Sequence, residues 1–174
     1  VDGERPNENS VAEKKSTPVE VAQAPEAKKP PEPAKVTPPL KPAEDPNIPA
    51  NPFEHRIPAP ELTGGVGWIN TAGPIELRQL RGKFVLLDFW TYCCINCMHI
   101  LPTLQKVEKA FAHEVVVIGV HSPKFAAEKD VENVKHAIAR YDIRHPIIHD
   151  PNHILWSQYN IHAWPTMVFI DPYG

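Results

Sequence analysis

Asp88-Phe-Trp-Thr-Tyr-Cys-Cys-Ile-Asn-Cys97, continued by Met98-His-Ile-Leu-Pro102, holds all three cysteines of a 174-residue chain. Just before it, Phe84-Val-Leu-Leu follows Gly82-Lys83. An apolar run so short and so bounded predicts a buried strand over residues 84–90. After it, Ile95, Met98, Leu101, Leu104, Val107 and Phe111 recur every three or four residues and predict one apolar face of a helix over 95–112. The cysteines therefore sit where a strand hands over to a helix. The free N–H groups and dipole of a helix N-terminus favour an anion, and the thiolate is the form of cysteine that attacks a disulfide.

Two cysteine spacings compete. Cys94 and Cys97 are three apart, which in a first helical turn brings their Cα atoms to about 5–6 Å, within the range a disulfide accepts. Cys93 and Cys97 are four apart and can also approach on a helix, but Cys93 precedes the turn and is expected outside it. Cys94 then reads as the exposed attacking thiol, and Cys97, one turn deeper, as the thiol that resolves a mixed disulfide.

The stretch resembles a thioredoxin-family active site. Asp88-Phe89-Trp90, Cys94-x-x-Cys97 and Pro102 match the family's strand end, cysteine pair and following proline in every spacing. Ile95-Asn96 replaces the family's Gly-Pro, and Cys93 stands where thioredoxin has tryptophan. More narrowly, Trp90-Thr-Tyr-Cys-Cys-Ile-Asn-Cys-Met-His99 resembles the thioredoxin-like domain of NHL-repeat-containing proteins, in which a β-propeller follows. The resemblance implies an α/β, thioredoxin-like fold over residues 56–174, a central mixed sheet flanked by helices. It implies exchange with protein thiols or disulfides, and no cofactor. A further motif, Ala163-Trp164-Pro165-Thr166 ahead of Met-Val-Phe-Ile170, matches the proline that opens a strand in the family, and the resemblance implies a cis Pro165 facing the cysteine pair. Pro165, Trp164, Trp90 and Cys93 are accordingly expected to meet the substrate.

Around this centre, Glu114-Val-Val-Val-Ile-Gly-Val-His121 predicts a strand buried on both faces, completing a right-handed βαβ unit with parallel strands. Pro74-Ile-Glu-Leu77 reads as a short strand, residues 125–141 as a helix, Pro146-Ile-Ile-His-Asp150 as a strand and Ile154–Tyr159 as a second helix. This extra helix-plus-strand material resembles the membrane-anchored and peroxiredoxin-like branch. Gly64-Gly-Val-Gly67 reads as a turn; no Lys-Ser/Thr follows it to make a phosphate loop. At Asp171-Pro-Tyr-Gly174 the family's final strand and helix are still to come, so a C-terminally truncated domain with an uncovered sheet edge is expected.

Fourteen of the 21 prolines fall within residues 1–60, together with one aromatic, Phe53, ten acidic and eight basic residues. That composition has too little apolar surface to offset the entropy of ordering, and predicts a disordered Pro/Ala/Lys/Glu linker over residues 1–55. With 18 basic against 21 acidic residues and no basic patch, the chain lacks a nucleic-acid footprint. It carries no apolar run long enough to span a bilayer. The tether suits a domain held off a membrane, so an extracytoplasmic, bacterial-envelope or periplasmic protein is expected, with a cytoplasmic one as the alternative.

Asp88, six residues before Cys94 inside an apolar strand, is the expected base for Cys97, since burial raises a carboxylate's pKa. His99 on the active-site helix reads as a bystander. Structural zinc lacks a second cysteine pair, and haem attachment needs histidine where Met98 stands. Two alternatives remain beside dithiol exchange: a non-catalytic interaction module on the same fold, and a copper chaperone using Cys93, Cys97 and a histidine.

Overall fold

The computed structural model describes residues 57–174. The linker expected over residues 1–55 lies outside the described residues.

Five strands form one mixed sheet in the order β1-β4-β3-β2-β5, where β1 is Gly67–Ile69, β2 Phe84–Trp90, β3 Val115–His121, β4 Ile147–His149 and β5 Thr166–Ile170. The continuous apolar runs became the two central strands, β2 and β3, paired in parallel from Phe84↔Val115 to Trp90↔His121. Between them runs α1, Ile95–Ala110, with Pro102 in its interior. The later helices are α2, Val131–Arg140, and α3, Ile154–Gln158. Strand β4 joins β3 in parallel, while β1 and β5 add antiparallel edges.

The pleat sorts the core into two layers, because alternate residues of a strand face opposite sides. Val85, Leu87 and Phe89 of β2 join Ile118, Val120, Leu155 and Ile161 on one face. Trp90 joins Cys97, Leu101 and Leu104 of α1, Val134 and Ile138 of α2, and Ile147 on the other. Asp88 shares that second face, which fixes its carboxylate beneath α1.

Three sequence expectations are corrected. Pro74-Ile-Glu-Leu77 is not a strand: Leu77–Leu80 is a 3₁₀ turn, whose Leu77 N–H donates to Glu61 Oε2 at 3.0 Å. The edge beside β4 is supplied instead by Gly67–Ile69, out of the glycine stretch read as a turn. The helix expected over 125–141 is divided, since Asp130 caps α2 by accepting the Glu132 N–H at 2.9 Å and leaves Ala126–Lys129 as a separate 3₁₀ turn. On the open side of β5, Phe169 is 61% exposed and stacks on Phe84 with ring centroids 5.1 Å apart.

Candidate active site

Thr91-Tyr92-Cys93 connects the end of β2 to the start of α1, and the three thiols differ sharply in exposure: Cys93 is exposed, Cys94 intermediate and Cys97 buried. All three are free. Cys94 is the N-cap of α1, and its Sγ accepts the Cys97 N–H at 3.4 Å. A sulfur in that position meets an unpaired helix N–H and the positive end of the dipole, an arrangement that favours negative charge on it. Cys97 has the opposite surroundings. Burial first, then its hydrogen bond to Cys94 and the nearby Asp88, push its thiol far above the usual range.

Asp88 is 1% exposed, and neither carboxylate oxygen has a hydrogen-bond partner in the protein. Burial raises its pKa from 3.8 to about 7, while His145 pulls in the other direction. A carboxylate held there has the proton affinity of a base working at neutral pH.

The loop is pinned from below by Glu128, a residue that sequence reasoning missed. Its side chain is buried and collects four donors. Oε1 accepts the Thr91 hydroxyl and the Cys93 N–H at 3.0 Å; Oε2 accepts the Lys124 and Phe125 N–H groups at 2.7 and 2.8 Å. Burial works to raise its pKa, but these bonds win and hold it below the usual carboxylate value. Burial and the Glu128 charge together raise the pKa of Cys93, so the extra cysteine is disfavoured as a thiolate beside Cys94. Glu128→Gln places an NH₂ group against the Lys124 and Phe125 N–H groups in one orientation of the amide and against the Cys93 N–H in the other. It is expected to lower stability by about 3 kcal/mol and to speed alkylation of Cys93, as urea unfolding and iodoacetamide labelling with peptide mapping would read.

Trp164 packs against the cluster that holds Trp90 and Cys97. The Trp164–Pro165 peptide is cis, and both residues are partly exposed. Trp164 Nε1–H donates to Ser122 O at 3.0 Å, and its ring packs on Trp156 with centroids 4.3 Å apart. Trp156 is held in turn by Asp150, whose carboxylate accepts the Ile154 and Trp156 N–H groups at 2.8 and 3.0 Å. Trp90, expected to meet the substrate, is completely buried and forms the floor of the site, edge-on to His121 at 5.0 Å. His121 and His149 are also buried, with their Nδ1 atoms 3.2 Å apart. Because His149 Nε2 faces the Lys129 carbonyl at 3.1 Å and must donate to it, His149 Nδ1 is the acceptor and His121 Nδ1 the donor. Burial, then His149, lowers the pKa of His121 to about 3. His99 is exposed on α1. Among the described residues no group of three or more His, Cys, Asp or Glu side chains is placed to hold a metal ion, so the copper alternative finds no ligand set there. No helix among them is long and apolar enough to cross a membrane.

A family profile described as Thioredoxin-like matches residues 82–174. The chain is 43% identical over 125 residues to NHL repeat-containing protein 2 of Homo sapiens, covering 70% of this chain and 17% of that protein. It is 31% identical over 120 residues to thiol-disulfide oxidoreductase YkuV of Bacillus subtilis, covering 68% of this chain and 80% of that one. The solution structure of a thioredoxin-like protein in the oxidized form superposes with a TM-score of 0.62 at 30% identity, over 70% of this chain and 82% of that one. The chain spans between 11% and 17% of the length of its relatives above 40% identity.

Proposed function

Since the chain belongs to the thioredoxin-like family, we propose that it exchanges disulfides through Cys94 and Cys97. The observation that carries the reading is the division of labour at the start of α1: a reachable Sγ on a helix N–H beside a buried thiol and a buried carboxylate. Cys94 as thiolate attacks a partner disulfide, forming Cys94–S–S–partner and releasing the partner's other sulfur as a thiolate that takes a proton from solvent. Asp88 then accepts the Cys97 proton, and the Cys97 thiolate attacks Cys94 Sγ. The second partner sulfur leaves, and two electrons have passed from the dithiol to the partner. We assign Trp164, which packs on the cluster that holds Cys97, and cis-Pro165 to the approach to Cys94, where an extended substrate segment would lie.

Insulin reduction with dithiothreitol tests the reading. The protein is expected to speed precipitation of the insulin B chain, and peptide mapping of the oxidised form to return Cys94–Cys97 with Cys93 alkylated. A rate equal to dithiothreitol alone would favour the interaction-module alternative. A dominant Cys93–Cys97 linkage would overturn the pairing.

The NHL-repeat relatives motivate a propeller in the whole protein; an extracytoplasmic site of action, with residues 1–55 as the tether, is supported instead by likeness to a secreted Mycobacterium tuberculosis disulfide oxidoreductase, 26% identical with a TM-score of 0.51. Fractionation of cells expressing the full-length gene decides the location; recovery in the cytoplasm would refute it.

A further inference from the structure

Glu128 does more than pin the loop, because the groups it holds bear on all three thiols. Pairing between β2 and β3 ends at Trp90↔His121, so Thr91, the next residue, lies beyond the ladder that fixes β2. Its hydroxyl is held by Glu128 Oε1 instead, and both residues are completely buried. From there the Thr91 backbone serves both members of the cysteine pair. Its carbonyl accepts the Cys94 N–H at 3.1 Å, at the N-cap of α1. Its N–H steadies negative charge on the Cys97 sulfur, against the burial that raises that thiol's pKa. The same Oε1 accepts the Cys93 N–H at 3.0 Å. That bond keeps Cys93 ahead of α1 and at the surface, while Cys97 is completely buried. Oε2 accepts the Lys124 and Phe125 N–H groups, so the carboxylate cannot follow a moving loop without leaving two donors unpaired.

We propose that Glu128 is the positioning residue that selects the Cys94–Cys97 pair, holding both thiols through Thr91 and keeping Cys93 out of the exchange. The proposal rests on the dithiol reading above. Two properties of the carboxylate act together. Its place restrains the geometry: a Cys93–Cys97 bond requires the Cys93 sulfur to turn from an exposed position to a buried one, which draws its N–H off Oε1 and leaves a buried carboxylate short of a donor. Its charge restrains the chemistry. After burial, the Glu128 charge and a hydrogen bond from the thiol hold Cys93 protonated, with Lys124 acting in the other direction. Cys94, whose sulfur accepts a helix N–H, stays the better nucleophile. The charged and titratable groups that face Cys93 are Glu128 and Lys124 from the segment after β3, and Tyr92 beside it in the chain. With glutathione disulfide as the oxidant, Cys94 takes one glutathione and releases the other as a thiolate. Cys97 then displaces the second glutathione, and the two electrons given up in forming Cys94–Cys97 end on two glutathione thiols. Without the carboxylate the same two steps also run through Cys93 and close Cys93–Cys97 with the same balance.

The test oxidises each protein with glutathione disulfide and maps its linkages, and follows alkylation of Cys93 by iodoacetamide against pH in a Cys94→Ser, Cys97→Ser background. The parent is expected to give Cys94–Cys97. Glu128→Gln is expected to raise the share of Cys93–Cys97 about tenfold or more, the size of one lost hydrogen bond to a charged group, and to move the Cys93 alkylation profile to lower pH. Thr91→Val removes the hydroxyl that Glu128 holds but keeps the side-chain shape and the carboxylate charge. It is expected to raise the share of Cys93–Cys97 about threefold or more and to leave the alkylation profile in place. A Glu128→Gln protein that pairs like the parent overturns the proposal, and parental pairing in Thr91→Val does so where Glu128→Gln fails to fold. A profile that moves alike in both variants assigns the effect to a loosened loop and overturns the role of the carboxylate. A parent that forms no Cys94–Cys97 bond overturns the dithiol reading, and the proposal with it.

Discussion

Cys94→Ser is expected to reduce insulin no faster than dithiothreitol alone, a loss on the order of a hundredfold or more, because a serine hydroxyl is not ionised at neutral pH and has no base beside it. Cys97→Ser is expected to fail differently. Its Cys94 remains at the helix N-terminus with Sγ reachable, so attack on a disulfide still occurs, but nothing buried behind it can complete the exchange. Glutathione disulfide should therefore leave Cys97→Ser carrying one glutathione on Cys94, stable for as long as no external thiol is added, whereas the parent should return to an internal disulfide. Intact-mass spectrometry with peptide mapping reads both outcomes. A stable adduct on Cys93 in place of Cys94 would reverse the assignment of the nucleophile, despite the buried Glu128 carboxylate that accepts the Cys93 N–H and disfavours a thiolate there.

Which parts of this were legible follows from what kind of signal each residue leaves. Strands β2 and β3 were found to the residue at most ends because a strand buried on both faces has no choice but a continuous apolar run. Helix α1 announced itself by its three-and-four spacing, and Asp88 by being a charge where such a run should have none. Strand β1 gave no such signal, since Gly67-Trp68-Ile69 is three residues long and borrows its pairing from β4, eighty positions downstream. The competing reading at Pro74–Leu77 had alternation but no partner. Glu128 was hidden for another reason. Ala126-Ala-Glu-Lys129 reads as the opening of one helix over residues 125–141, and only the separate turn it forms, packed under Thr91 and Cys93, makes Glu128 a buried anchor with four donors.

Asp88→Asn is expected to stabilise the fold at pH 8 by up to about 4 kcal/mol and to change little below pH 4, while slowing resolution by Cys97 at least tenfold. The ordinary carboxylate titrates at 3.8 and the folded one at about 7, so between those values the native state keeps a proton that the unfolded chain has lost. Stability contributed by the protonated form is full below 3.8, falls by about 1.4 kcal/mol per pH unit as pH rises, and is gone above 7. Asparagine has no such loss, and the difference between the two proteins isolates Asp88 from every other titrating group. His121 works with the opposite sign: the unfolded imidazole takes up a proton at 6.5 and the buried one only at about 3, so its contribution is full above 6.5 and drains away as pH falls through that window. From 3.8 to 6.5 the two slopes oppose each other. Urea unfolding at half-unit steps should therefore give the parent a nearly flat stability across that range, and give Asp88→Asn a curve that climbs with pH. Parallel curves would show that Asp88 is ionised in the fold throughout, and would remove it as the acceptor of the Cys97 proton.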